Sequence, residues 1–275
     1  MIRRRSFLKW AGNKYSSLDN ILAVLPKASR LIEPFAGSGV IFLNADYPQF
    51  IIGEENTDLI ALFQALQQEG PVFISDCKFF FNDTSNTASY YYQRRDEFNQ
   101  CTDPRQRALL FLYLNRHGYN GLCRYSIKSG YNVPFGDMKA PYFPEQEMQH
   151  FHQKSQQASF LQADFKETFK RARSGDVIYC DPPYAPRTQF SNFSSYTHKK
   201  FGEQEQIALA ELAASYASKG ITVVISNHDT TFTRHQYRDS QIISFPVKRT
   251  INCQGANRLP VQELLAIFKG SWTTS

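Results

Sequence analysis

The chain reads as an α/β protein built on a parallel, doubly wound sheet with a long insertion, and three observations predict this. Short apolar runs alternate with helical patterns, as successive βαβ units require. Several of these runs end in an acidic residue or a glycine-rich turn, the arrangement found where open sheets bind ligands. About a hundred residues separate the second run from the third, far more than one crossover needs, so a subdomain is inserted there.

Leu18, Ile21, Leu22 and Leu25 follow helical spacing before Pro26, placing a helix ahead of the first strand. Arg30–Phe35 is strand one, and Ala36-Gly37-Ser38-Gly39 turns into an apolar helix over Val40–Ala45. Phe50–Gly53 is strand two, running into Glu54-Glu55-Asn56. Ser159–Ala163 is strand three, ending at Asp164, and the apolar run Val177–Cys180 is a buried strand four that ends at Asp181. A helix from Glu203 to Ser218 stops at Gly220, and Ile221–Ile225 follows as strand five. Ile242–Phe245 and Leu264–Phe268 are late strands that add an antiparallel edge.

Residues 1–56 and 145–275 therefore form the sheet domain, and 57–144 the insertion. Within the insertion, Asp103-Pro104-Arg105-Gln106 offers an N-cap, a proline at the first helical position and a glutamine spaced for a capping box. The helix it starts carries Leu109, Leu110, Leu112 and Leu114 to Arg116, an almost continuous apolar face that belongs in a small bundle. Asn120-Gly121 and Ser129-Gly130, with alternating residues between Gly118 and Gly136, argue for a β-hairpin tipped by polar and aromatic side chains.

Hydrophobic content of 42% and aromatic content of 15% over 275 residues exclude disorder and leave room for a large core. No run reaches membrane-spanning length and no apolar leader opens the chain, so a cytoplasmic protein is expected. Cys77, Cys101, Cys123, Cys180 and Cys253 show no metal spacing; neither a metal site nor a disulfide is expected. His150 and His152 read as a solvated helix face. The net charge of +6 is concentrated. Residues 1–14 hold Arg3, Arg4, Arg5, Lys9 and Lys14 without an acid; 186–202 hold Arg187, Lys199 and Lys200; 234–258 hold Arg234, Arg238, Lys248, Arg249 and Arg258 against Asp239. Basic segments that recur in this way favour a polyanion partner, although any one of them also fits a solvated face.

The densest chemical signal is Asp181-Pro182-Pro183-Tyr184 at the end of strand four. The two prolines remove backbone donors and leave carbonyls that can accept, beside a carboxylate and an aromatic ring. Such a set suits a planar amine on a heterocycle, two N–H groups gripped by oxygens and the ring stacked on Tyr184. The plainer alternative is a strand followed by a Pro-Pro turn. Phe35-Ala36-Gly37-Ser38-Gly39 lies where a backbone closely approaches a ligand at a helix amino terminus, but it has neither the full dinucleotide signature nor that of a phosphate loop. Glu54 is placed to accept two ribose hydroxyls and Asp164 an adenine amino group, while Trp10, Gly12 and Lys14 supply a wall and a charge for an amino-acid tail. Each has an ordinary alternative: Trp10 as core, Glu54 and Asp164 as strand-end caps.

Five motifs in order, Phe-Leu-Lys-Trp-Ala-Gly-x-Lys from Phe7, Glu-Pro-Phe-x-Gly-x-Gly from Glu33, Tyr-Leu-Asn-Arg-x-Gly-Tyr-Asn-Gly-Leu-Cys-Arg-Tyr from Tyr113, Asn-Val-Pro-Phe-Gly from Asn132, and Asp-Pro-Pro-Tyr, resemble the DNA adenine N6-methyltransferase (Dam) family across residues 7 to 268. The resemblance implies a Rossmann-like catalytic domain using S-adenosylmethionine, with an inserted target-recognition domain, acting as a monomer on double-stranded DNA containing GATC. By motif matching, Trp10, Gly12, Lys14, Phe35, Gly37, Gly39, Glu54, Asp164 and Asp181 surround the cofactor, and Asp181, Pro182, Pro183 and Tyr184 form the catalytic motif. Lys9, Tyr119, Asn120, Leu122, Arg124 and Pro134 fall on the DNA side. Arg124 has a guanidinium fork that matches guanine, with a phosphate contact as its alternative; Tyr119 and Asn120 fit a wedge in the base stack, or ordinary turn positions. The chain departs from the family's pattern at Asn13 for glycine, Glu54 for the commoner aspartate, and Asp137 where a basic residue is frequent. Cytosine N4, RNA adenine or a glutamine amide as the methyl acceptor, and a DNA-binding relative with a decayed site, are the alternatives. The intact Asp181–Tyr184 motif favours an active enzyme on duplex adenine.

Overall fold

The computed structural model describes residues 3–185, 201–247 and 261–270. In chain order, α1 (Leu18–Val24), β1 (Arg30–Glu33), α2 (Val40–Asn44) and β2 (Gln49–Glu54) lead into the insertion. There follow α3 (Thr57–Glu69), α4 (Pro71–Lys78), α5 (Ala88–Gln100), α6 (Pro104–His117), a hairpin of β3 (Tyr125–Ser126) and β4 (Gly130–Tyr131), and α7 (Glu145–Ser155). The chain then returns through β5 (Ala158–Gln162), α8 (Phe165–Phe169), β6 (Asp176–Cys180), α9 (Glu203–Ala217), β7 (Thr222–His228), α10 (Thr231–Gln236), β8 (Gln241–Val247) and β9 (Val261–Phe268).

Seven strands form one sheet in the order β5-β2-β1-β6-β7-β9-β8. The first five are parallel to one another, and β9 and β8 complete the edge in antiparallel fashion. From β1 the chain moves outward through β2 to β5, then resumes on the opposite side of β1 with β6. The winding direction thus reverses between β1 and β6, the switch point at whose carboxyl ends open α/β sheets form their ligand crevice. Every residue of β6 and β7 is buried, as expected for central strands covered on both faces.

Two apolar clusters cover the two faces. Under α9, Leu209 and Ala213 pack with Ile32, Ile178, Ile225 and Phe268. The other face is dominated by phenylalanine: Phe63 of α3 meets Phe151 of α7 at 4.8 Å and Phe160 of β5 at 5.4 Å, and Phe7 meets Phe151 at 5.0 Å. This cluster continues without a break into Leu110, Leu114, Tyr131 and Val133 of the insertion. From Ala108 to His117 every residue of α6 is buried, so α6 is the axis around which α3, α4 and α5 pack.

Local chemistry sets the helix starts, with two departures from expectation. Asp103 caps α6 by accepting from the Gln106 N–H at 2.7 Å, but the Gln106 side chain donates to Glu97 of α5 at 2.9 Å and does not close the box. A tertiary acceptor outcompetes the local one. His152 is likewise no solvated residue: its Nδ1 donates to the Leu66 carbonyl at 3.0 Å, joining α7 to α3. No helix among the described residues is long and apolar enough to cross a membrane.

Phe63 is fully buried at the junction of α3, α7 and the sheet. Phe63→Ala should lower unfolding stability by roughly 3–5 kcal/mol, read from the urea midpoint at unchanged m-value; a loss under about 1 kcal/mol would show that the ring cluster is not what holds α3 down.

Candidate active site

Asp181 follows the last residue of β6, at the crevice. Its Oδ1 accepts from Ser226 Oγ of β7 at 2.9 Å and lies 2.9 Å from Lys14 Nζ. Its Oδ2 has no partner among the described residues. Pro183, Tyr184 and Ala185 are then clamped from three elements. Gln206 of α9 donates to the Pro183 carbonyl at 2.7 Å. Asn227 accepts the Ala185 N–H at 3.1 Å, and His228 Nδ1 donates to the Ala185 carbonyl at 2.8 Å. Tyr184 donates to Glu263 of β9 at 3.1 Å, its ring is met edge-on by His228 at 4.8 Å, and the Lys14 ammonium sits 4.5 Å from its centroid. Of the carbonyls around Asp181 and Pro182 expected to be available, Pro182's has no hydrogen bond from the described residues; the next one along, Pro183's, is taken by Gln206.

Ser226, Asn227, His228, Gln206 and Glu263 were not anticipated. Two signals were present: the polar run Ser226-Asn227-His228 directly after Val-Val-Ile, and a carboxylate inside the apolar β9. A sixth missed residue is Glu33, the last of β1 and only 2% exposed. Burial first, then the nearby Asp181 carboxylate, push the Glu33 carboxyl up to about 8, against a hydrogen bond from the Phe42 N–H. Its Oε1 has no hydrogen-bond partner among the described residues. Withdrawal from water also raises Asp181, against the pull of Lys14 and Ser226.

On the β1 side, Gly37 and Gly39 adopt φ of 48° and 69°, which side-chain-bearing residues rarely do. A Cβ on Gly37 would come within 3.1 Å of Trp10 Nε1, so the indole lies directly on the turn. The Gly37 N–H donates to Glu54 Oε2 at 3.1 Å and the Asn56 N–H to Oε1 at 3.2 Å. A carboxylate has about four acceptor sites, so at least one remains for a ligand. Burial raises the Glu54 carboxyl and these two hydrogen bonds partly offset it. Asp164 caps α8 through the Glu167 N–H at 2.8 Å, which occupies one of its two oxygens. Phe35 stacks on Phe165 with centroids 5.6 Å apart. Lys14 donates to the Gly12 carbonyl at 2.7 Å, and Gly12 has a φ of 77°. Asn13 is outside the left-handed region; its side chain bonds Trp10 O and the Tyr15 N–H, so its Cβ brings no backbone strain. The residues expected around a cofactor thus line the carboxyl ends of β5, β2, β1 and β6.

The DNA-side residues occupy two neighbouring stretches. Asn120-Gly121 is not the hairpin turn. It belongs to a short helical turn, Tyr119–Gly121, that ends α6, with Asn120 at φ 52° and Tyr119 exposed. The hairpin closes over residues 127–129, since the Tyr125–Tyr131 and Ser126–Gly130 pairs set its register. Tyr119 donates its N–H to the carbonyl of exposed Pro134 at 2.9 Å, and half-buried Leu122 leads to Arg124. Exposed Arg124 donates from Nε to Asn132 Oδ1 at 2.6 Å. Lys9 comes from the amino-terminal segment to meet them: its backbone exchanges hydrogen bonds with Asn115, and a Cβ on Gly121 would lie 2.1 Å from its own. Burial and Arg116 pull the Lys9 ammonium down to about 8. Asp137, the acidic departure, has a φ of 46°. Of the basic residues, Arg3 pairs with Asp19 and Arg234 with Asp229, whereas Arg187, Lys199, Lys200, Lys248, Arg249 and Arg258 lie outside the described residues.

Because the folded value of Glu33 lies above its ordinary 4.5, its stabilising contribution is whole below about that pH and is lost as pH rises through about 8. Glu33→Gln should therefore gain melting temperature relative to the parent as pH rises across that window. Parallel melting curves would contradict the burial of this charge.

A family model for the D12 class N6 adenine-specific DNA methyltransferases matches residues 10–251. The chain is 48% identical to the DNA adenine methylase of Vibrio cholerae serotype O1 over 269 residues, which cover 98% of this chain and 97% of that protein. It is 45% identical to the DNA adenine methylase of Escherichia coli K12 over 269 residues, again 98% and 97% of the two chains. With the Haemophilus influenzae DNA adenine methylase the identity is 47% over 270 residues, 97% and 94% of the two chains. With this identity along nearly its whole length, and with an acceptor-rich motif at the sheet's crevice, the chain belongs to the D12 class of N6 adenine-specific DNA methyltransferases.

Proposed function

We propose that this methyltransferase acts with S-adenosylmethionine on the N6 amino group of an adenine flipped out of duplex GATC. The observation that carries this reading is the Asp181 carboxylate at the crevice, with Oδ1 held by Ser226 and Lys14 and Oδ2 unengaged, next to the unpartnered Pro182 carbonyl and the fixed Tyr184 ring. The residues fit the cofactor: a Cβ on Gly37 would crowd Trp10, the Glu54 carboxylate keeps an acceptor site, Lys14 offers a cation for a carboxylate, and buried Glu33 has an oxygen without a partner among the described residues. Trp10, Gly12, Lys14, Phe35, Gly37, Gly39, Glu54, Asp164 and Asp181 would hold it. When bound, S-adenosylmethionine supplies an electrophilic methyl carbon on a sulfonium.

An adenine within a duplex cannot reach this crevice, so it is extruded at a cost of a few kcal/mol. Tyr184 stacks on the extruded ring, kept edge-on by His228 and tethered by Glu263. Asp181 and the Pro182 carbonyl accept the two N6 hydrogens, localising the nitrogen lone pair toward the incoming carbon. Ser226 and Lys14 keep the carboxylate oriented and favour its charged form, the form that accepts. Residues 1–56 and 145–275 constitute the catalytic domain in this reading, and 57–144 the target-recognition domain. The site carries GATC specificity through Arg124, whose guanidinium would exchange Asn132 for guanine O6 and N7. Tyr119 and Asn120 fill the gap left by the base, with Lys9, Leu122 and Pro134 alongside.

Asp181→Ala should bind duplex DNA as the parent does and lose methyl transfer by about 10²-fold or more, measured with tritiated cofactor; turnover within about tenfold of the parent would refute its role. Arg124→Ala should relax discrimination at one base pair of GATC by about 1–3 kcal/mol, scored on duplexes altered one pair at a time. Uniform weakening on all duplexes would instead mark a phosphate contact.

A further inference from the structure

The hairpin that carries Arg124 has strands of two residues each, β3 and β4, too short to fix its own position. Arg124 itself is exposed, and its one described side-chain partner, Asn132, lies on the same hairpin. Asn99 of α5 holds the β4 side, accepting the Tyr131 N–H at 2.8 Å, while the β3 side, next to Arg124, is tied to the first turn of α3. Asp58, 8% exposed, is gripped by both arms of Arg107, Nε to Oδ1 at 2.9 Å and Nη2 to Oδ2 at 3.0 Å. Arg107 is in turn fixed by donating Nη1 to the Phe98 and Cys101 carbonyls. The same Asp58 Oδ2 accepts from the Tyr125 hydroxyl at 2.6 Å. A second, softer tether runs from Asn56 Nδ2 to Cys123 Sγ at 3.4 Å. Arg124 lies between the two tethered residues.

Bidentate reading of a base edge requires the guanidinium to be placed within a fraction of an ångström, and a fork on a loosely held hairpin does not meet that requirement. We propose that the Tyr125–Asp58 hydrogen bond positions Arg124 for base reading, making Tyr125 and Asp58 specificity-positioning residues that never touch DNA. This rests on the reading of Arg124 proposed above. Burial, helped by the Asp58 carboxylate that accepts its hydrogen bond, pushes the Tyr125 phenol far above its ordinary range, so it remains a donor. Removal of that one hydroxyl leaves Asp58 paired with Arg107 and Tyr131 bonded to Asn99, so the bundle and the β4 side stay in place while the β3 side beside Arg124 loses its tether to α3.

The test is a set of equilibrium binding measurements with sinefungin present, on GATC duplex and on duplexes changed at one base pair each, for the parent, Tyr125→Phe, Arg124→Ala and the double variant. Tyr125→Phe should lose about tenfold in discrimination at the base pair read by Arg124 and stay within about twofold elsewhere. In the double variant, discrimination should fall no further than in Arg124→Ala alone, because the two changes remove one interaction. A merely structural hydroxyl would lower the melting temperature while leaving the ratio intact, or would weaken every duplex alike; either result, or additive losses in the double variant, overturns the proposal. If Arg124→Ala discriminates as the parent does, the underlying recognition reading falls. If Arg124→Ala loses discrimination and Tyr125→Phe keeps it, only the positioning role falls.

Discussion

Asp181 is largely withdrawn from water yet keeps Oδ2 without a partner among the described residues, and that double requirement shapes everything around β6. A carboxylate left buried and unpaired would be driven to protonate and would stop being an acceptor. Lys14 and Ser226 oppose this from opposite sides, one from the amino-terminal segment and one from the neighbouring strand β7. Proline at 182 and 183 prevents the backbone from consuming its own carbonyls, so the segment has to be held by side chains. Gln206, Asn227 and His228 do that holding, and they are buried because an exposed clamp would compete with water.

The same logic extends across the crevice. Glu33 and Asp181 place two carboxyls near each other at the ends of β1 and β6, and the Asp181 charge, after burial, raises the preference of Glu33 for its proton. The Gly37 turn brings backbone N–H groups and Trp10 to the same place, and Glu54 ties that turn to the end of β2. Reversal of winding between β1 and β6 is what leaves this region uncovered, since crossover helices leave in opposite directions from it. The insertion is not an appendage on this frame. One continuous apolar cluster runs from the phenylalanines above the sheet to the hairpin, and the first turn of α3 touches both Glu54's loop and Tyr125.

Much of this was legible from local pattern. All seven strands of the sheet lie within a few residues of the apolar runs that predicted them, because central parallel strands must be apolar on both faces and turns must be polar or glycine-rich. The α6 cap and its proline were readable for the same reason: capping chemistry is confined to four residues. The helices around α6 were less so. α3 has a clear apolar stripe, Leu59, Ile60, Leu62, Phe63 and Leu66, that went unassigned within the insertion, whereas α5 buries only Tyr91 and Phe98 and carries little periodic signal. Asn120-Gly121 misled because a left-handed pair serves a helix end as readily as a hairpin, and only the strand pairing distinguishes the two.

The order of residues along the chain decided the strands, the glycine turn, the Asp181–Tyr184 motif and the place of the insertion, since each follows from steric and burial rules acting over a few neighbours. Tertiary packing alone decided that Lys14 meets Asp181, that Gln206 spends its amide on Pro183, that Gln106 turns to Glu97, and that Asp58 holds Tyr125. These partners are far apart in sequence or face competing local options. A polar side chain chooses its partner by which one burial brings within reach, and burial is a property of the assembled core.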